Sequence, residues 1–321
     1  MSPPTKAGSS PFDAREGGLR LNPAQSRVDI AGKISANGEM TSPSPAPATQ
    51  RVDAPHDLAA WTRWFAAADI PVLAETAEAL EALRPNEDNV DANSLGEMIS
   101  GDPLMTLKVL AYESRHRGRR VITSAETVIS ALVMMGISPF FRAFGPQQTI
   151  DERLGGRPDA LAGLQRVLLR AHRGANFALA FAIHRTDPDA AVIHAAALLH
   201  EFAEMLLWCH APELAGRVQA MQDADPTLRS SAAQRAVLNV ELAELQRSLA
   251  EEWRLPALIV ESTAEAKSAG QTSARIVSLA ARLARHTARG WDNAALPDDL
   301  SEISALLNLS AEATLKLLQE I

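Results

Sequence analysis

Between residues 194 and 210 the chain reads HAAALLHEFAEMLLWCH. His194, His200, His210, Glu201, Glu204 and Cys209, the last the only cysteine, are set here among Ala, Leu, Met, Phe and Trp. Imidazole, carboxylate and thiolate are the groups that hold divalent metals, and a metal so held lowers the pKa of its bound water until the hydroxide can attack an ester or phosphoester. The competing chemistry is inert: buried histidines and glutamates that satisfy one another. His200 and Glu204 stand four residues apart, the spacing at which two side chains meet on a helix.

A helix must position them. The stretch is rich in strong helix formers and has no Gly or Pro before Pro212, which predicts one helix over residues 189–210. At about 100° per residue, His194, Leu198 and Glu201 share one face, and His200, Glu204 and Trp208 share another. Apolar residues occur around the whole circumference, so the helix is expected inside a domain, where its polar groups need partners.

The rest of the folded chain repeats the helical period. Candidate helices cover 57–68, 71–83, 93–100, 103–113, 123–135, 138–145, 159–185, 212–222, 231–253, 256–266, 271–289, 297–308 and 310–320. Asp102 before Pro103, Thr123 with Glu126 three residues on, and Ser310 before an acidic turn supply start signals. No alternating run rich in Val, Ile and Thr argues for a sheet. The expected fold is all-α, a multi-helix bundle. Residues 1–55, with TSPSPAPAT as the extreme, are rich in Ser, Pro and Gly and show no apolar period, so they are expected to form a disordered tail. Residues 56–290 would form the main domain, with 291–321 as a C-terminal helical pair packed on it.

Composition narrows the function. In 321 residues, 46% hydrophobic content supplies a core, and a single cysteine excludes an internal disulfide or a Cys-based zinc cage and fits a reducing compartment. A net charge of −8 argues against nucleic acid or anionic lipid as a partner. The one dense basic run, RHRGRR at 115–120, lacks interleaved aromatics and is read as a solvated loop at a helix end. The first residues hold no apolar segment of a secretory signal, and the longest uncharged run, TVISALVMMGISPFF at 127–141, is shorter than a membrane span. A soluble, cytoplasmic protein is expected.

Four segments together resemble the HDOD family, output-type relatives of the HD phosphohydrolases found in bacterial signalling proteins. They are MISGDPLMTLKVLAYES (98–114), ITSAETVISALVMMGISPFFRAF (122–144), AVIHAAALLHEFAEMLL (191–207) and LAELQRSLAEEWRLPALIVES (242–262). The resemblance implies that catalytic relatives converge a His, a His–Asp pair and a distant Asp on one or two divalent metals. By that correspondence His172 stands at the first His, His200 at the His of the pair, and Glu201 at its Asp. Ala281 stands at the distant Asp and Leu242 at a histidine common in the family, while Ala266 and Lys267 replace a His pair. Alanine and leucine cannot coordinate a cation, and a lysine opposes one.

His172, His200 and Glu201 are therefore expected to be vestiges of a metal site, with no metal, no cofactor and no catalytic residue. The function expected is signal transduction through contact with a protein partner whose identity the sequence does not give. Two alternatives follow from the same residues. One is a divergent phosphohydrolase using His172, His200 and Glu201 with His194 or His184. The other is a nucleotide-sensing module that binds a small anionic ligand through Arg170 or Arg173 without cleaving it.

Four further readings concern aromatic, cysteine and histidine side chains. Trp253 is expected as a core anchor before Pro256, and Cys209 as a small buried hydrophobe. Trp61, Trp64 and Phe65 form either a hydrophobic staple or an exposed partner patch. His210 is expected at a helix C-terminus, where positive charge is favourable.

Overall fold

A computed structural model describes residues 53–117, 124–263 and 272–321. All but the last three residues of the predicted tail lie outside these, as do residues 118–120 of the basic run, the Thr123 start signal, Ala266 and Lys267. The described residues are helical, with no strand. Their one β-type pairing is an isolated bridge between Val72 and Thr149.

In chain order the helices are α1 (Leu58–Ala67), α2 (Ala74–Leu83), α3 (Ala92–Ser100), α4 (Pro103–His116), α5 (Val128–Met135) and α6 (Ile137–Ala143). Then follow α7 (Ile150–Leu154), α8 (Pro158–His184), α9 (Ala190–Leu198), α10 (Phe202–His210), α11 (Pro212–Ala224) and α12 (Ser230–Leu238). The last are α13 (Leu242–Glu252), α14 (Ala257–Ser262), α15 (Thr272–His286), α16 (Leu296–Leu307) and α17 (Ala311–Gln319). A 3₁₀ helix, Arg84–Asn89, follows α2.

The 27-residue α8 is the axis of the bundle, packing against α9, α10, α11 and α15. Two glycines set how closely its neighbours come. A Cβ on Gly163 would lie 2.4 Å from the Trp208 ring of α10, so the indole occupies space that only glycine leaves free. At Gly174 the backbone of Ala281 on α15 comes to 3.5 Å of the same notional atom, an ordinary contact.

Local signals explain most starts. Asp102 accepts from Leu104 N at 2.9 Å and Met105 N at 3.0 Å, capping α4 with Pro103 in its first turn. Ser310 caps α17 as expected. α5 begins later than predicted, because Thr127 is its cap, in a reciprocal box with Ser130. The short α7 was not predicted, although Thr149 and Glu152 form the same kind of box there. Trp61 and Phe65 are fully buried, and the Trp61 indole donates to Leu238 O at 2.8 Å, so this aromatic group ties α1 to the end of α12. Burial argues against an exposed patch at Trp61 and Phe65, while Trp64 is partly buried; almost all of the tail that a staple would join lies outside the described residues.

Two predicted helices are each broken in two. The 231–253 segment stops at Asn239, whose φ of 65° ends α12 in the left-handed region before Glu241 restarts the chain as α13. The 189–210 segment breaks at Leu199–Glu201. The stretch Ala190–His210 is long and apolar enough to cross a membrane by composition, but 61% of its apolar window is buried within the fold.

Candidate functional site

The break between α9 and α10 is what builds the site. In an unbroken helix the amide of Ala203 would bond to Leu199 O. Here Gln246 of α13, 4% exposed, inserts its side-chain amide instead: Nε2 donates to His200 O, and Oε1 accepts from Ala203 N at 3.4 Å. A side chain entering the helical ladder is a recognised cause of kinks, and it lets buried backbone groups remain paired where the helix ends.

Released from the helix, Glu201 turns towards α8. Arg170 donates from Nε to Glu201 Oε2 at 2.5 Å and from Nη2 to Glu204 Oε2 at 2.6 Å. The three side chains are 17%, 13% and 31% exposed. Arg285 of α15 lies 3.6 Å from the other Glu201 oxygen. Glu204 is thus held by Arg170, a contact made possible by the break rather than by the four-residue spacing to His200.

Burial pulls down on the Arg170 pKa, but the charges of Glu204 and Glu201 more than offset it and raise the group above the ordinary arginine range. For Glu204, burial pushes the carboxyl up; Arg170 pulls it down, Glu201 pushes it up again, and the balance stays above the ordinary carboxylate value. The cluster works only as a set: a guanidinium, charged at every accessible pH, compensates two carboxylates largely removed from water.

Two residues further along α8, His172 belongs to a second cluster. Burial pulls its pKa below 6.5, opposed by the charge of Asp102. Burial likewise lowers His194 on α9, with His172 acting in the same direction. Asp102 itself is 0% exposed, and besides capping α4 it accepts from Leu73 N at 2.8 Å. Burial pushes its carboxyl up against the pull of these hydrogen bonds.

The residues predicted for the site are therefore divided. Glu201 joins Arg170, Glu204 and Arg285, while the electrostatic partners of His172 are Asp102 and His194. His200 lies in the turn beside Glu201 and is half-buried. Ala281 packs against Gly174, Leu242 is buried at the start of α13, and His184 is exposed at the end of α8. Among the described residues no group of three or more His, Cys, Asp or Glu is gathered as a metal site would be.

Of the arginines invoked for an anionic ligand, Arg170 is engaged as above. Arg173 donates to Thr287 O at 2.9 Å and lies over the Phe177 and Trp291 rings. Cys209 is buried, and that burial pushes its thiol to about 12, an inert group.

His210 does end α10, but it does not carry the expected positive charge. Burial and the neighbouring Arg153 lower its pKa to about 4, and Arg153 Nη2 donates to its Nδ1 at 2.8 Å. A nitrogen that accepts from an arginine must be unprotonated, so here the guanidinium takes the place that the helix end would give to a cation.

Sequence reasoning missed Gln246, Arg285 and the role of Arg170. Gln246 left one trace, since it interrupts the apolar stripe of Leu242, Leu245, Leu249 and Ala250 on α13.

A family model of the HDOD domain matches residues 70–269. Among solved structures, the MmoQ response regulator from Methylococcus capsulatus str. Bath is similar at 19% identity, covering 78% of this chain and 98% of that one, with a TM-score of 0.59. A virulence factor from Campylobacter jejuni subsp. jejuni is similar at 18% identity, covering 78% and 89%, with a TM-score of 0.55. At such identities the likeness is one of fold. No curated protein matches the chain in sequence.

Proposed function

The chain belongs to the HDOD domain family, and from that premise we propose that it is a non-catalytic signal-transduction protein acting through protein–protein contact. The observation that carries this reading is Arg170. A metal phosphohydrolase needs several deprotonated donors free to face a divalent ion. Here both carboxylates beside His200 are already neutralised by a guanidinium that cannot be deprotonated and cannot activate water. Leu242 and Ala281 offer no lone pair. The residues present do not fit a divalent ion.

What such a domain keeps is a large helical surface and a central charge cluster that fixes the relation of α8, α10 and α15. In this reading the cluster is structural, and the signal is carried by the surface. One similar structure is described as a response regulator, which accords with a signalling role. The module is taken as residues 56–290, with α16 and α17 docked on it through Asp299, which pairs with Arg282 at 2.7 Å and His286 at 2.5 Å. A cytoplasmic location goes with the same reading.

The test uses the full chain purified without chelator. Metal content below a tenth of an equivalent is expected, with no turnover of p-nitrophenyl phosphate or bis-p-nitrophenyl phosphate above buffer when Mg²⁺, Mn²⁺ or Zn²⁺ is added. About one tightly held equivalent of metal, or turnover abolished by His200→Ala, overturns the proposal.

A further inference from the structure

Leu169 of α8 is 70% exposed, more than any other large apolar side chain among the described residues. A lone apolar residue on a surface needs no explanation, but this one has company. Arg166 precedes it by three residues and Arg173 follows it by four, spacings that put all three on one face of the helix.

Fixed contacts tie this stripe into one surface. Arg166 Nη2 donates to Gln219 Oε1 on α11 at 2.7 Å, and one turn further along α11 Asp223 pairs with Arg289 at 2.8 Å. Two residues beyond Arg289, the Trp291 ring lies 5.5 Å from the Arg173 guanidinium, which also donates to Thr287 O. The circuit closes there. α8, the end of α11 and the segment after α15 thus border one surface that holds Leu169 and the 37% exposed Trp291.

Charge chooses the occupant. Arg289 is paired with Asp223, whereas Arg166 and Arg173 meet only neutral acceptors and aromatic rings, and neither forms an ion pair among the described residues. Asp292, next to Trp291 in sequence, is a lone acid against the two. In a chain of net charge −8, two uncompensated guanidiniums that flank an exposed leucine complement carboxylates on a partner. Aromatic residues and arginines are also what protein interfaces concentrate at their centres. Seven residues of helix span about 10.5 Å, the same distance that separates carboxylates two turns apart on a second helix.

We propose that this surface docks an acidic amphipathic helix of a protein partner, with carboxylates two turns apart meeting Arg166 and Arg173 and an apolar side chain between them covering Leu169. The proposal rests on the reading of the chain as acting through protein contact, and it names the face and the partner's chemistry. None of the residues it tests belongs to the Arg170 cluster, so the two readings fail separately.

Fluorescence anisotropy tests it with the full chain and a labelled alanine-based helical peptide that carries two glutamates seven residues apart and a leucine midway. Control probes are the same peptide with lysines for the glutamates and a single-stranded DNA oligonucleotide. The glutamate peptide is expected to bind saturably and the lysine peptide not to bind. Arg166→Glu and Leu169→Asp, both changes at exposed residues, should each weaken binding about tenfold or more, as losing a charge-assisted contact or an interface anchor does. The melting temperature should stay unchanged in both.

No saturable binding of the glutamate peptide, or binding that the lysine peptide matches or that both substitutions leave unchanged, overturns the proposal. Tighter binding of DNA that depends on Arg166 overturns it in favour of a nucleic acid, and self-association lost in Leu169→Asp overturns it in favour of a second copy. A chain that hydrolyses a phosphoester and still binds the peptide leaves the docking surface standing and removes only the non-catalytic reading.

Discussion

On one flank of α8 Arg170 gathers Glu201 and Glu204; two residues along, about 200° further round the helix, His172 shares its surroundings with His194 and Asp102. Both clusters put titratable groups where water is scarce. The first keeps its charges and cancels them by pairing, whereas the histidines of the second meet burial by favouring the neutral ring. The difference teaches that the first cluster depends on a counter-ion, and that its Glu204, with a raised carboxyl, responds to acid with the opposite sign to the two histidines of the second.

Removing the counter-ion should have the largest effect. Arg170→Ala leaves two carboxylates facing only Arg285, and a loss of about 3–5 kcal/mol in urea unfolding at pH 7 is expected. Glu204 already has a folded pKa above its ordinary 4.5. The stability linked to that raised value is fully present below 4.5 and lost as pH rises through the folded value, so the variant should recover part of its deficit at pH 5. A cost below about 1 kcal/mol at pH 7 would show that the pairing is ornamental rather than structural.

Asp102→Ala comes next, at about 2–3 kcal/mol. It removes a helix cap and leaves the Leu73, Leu104 and Met105 amides short of an acceptor. Faster amide hydrogen exchange should be concentrated at the start of α4 and at Leu73. Exchange that quickens evenly over the bundle would instead deny Asp102 its local role.

The histidines give a smaller effect of opposite sign. With folded pKa values below 6.5, His172 and His194 contribute stability that is present above 6.5 and lost as pH falls towards the folded values. The effect is read as the part of the acid slope between pH 7 and 5 that each histidine carries. His194→Leu should flatten the acid slope measured by urea unfolding, and an unchanged slope breaks the contrast between the clusters.

Glu204→Gln should be the mildest change, within about 1 kcal/mol at pH 7, because Arg170 keeps Glu201 and an amide oxygen. Combined with Arg170→Ala, it should abolish the recovery at pH 5. If the recovery persists in the double variant, another carboxylate is the one that titrates.

Much of the fold was legible because its signals are local. Apolar spacing gave the helices, Asp102 with Pro103 and Ser310 gave two starts, and the buried Trp253 and inert Cys209 follow from side-chain character. The errors fall where distant residues decide. Asn239 in a left-handed conformation splits one predicted helix, and Gln246 splits another from 43 and 46 residues away. His210 lost its expected charge to an arginine 57 residues distant.

By itself, then, the sequence determined the all-α class and the lack of a side-chain metal donor at positions 242 and 281, since the side chain of alanine or leucine is without a lone pair in any fold. The tertiary structure alone decided what became of the polar residues that remained. Arg170 reaches Glu201 and Glu204 across separations of 31 and 34 residues, beside the break whose backbone groups Gln246 pairs. Helical periodicity relates neighbours three or four residues apart; a buried charge takes its partner from whatever packing brings within reach.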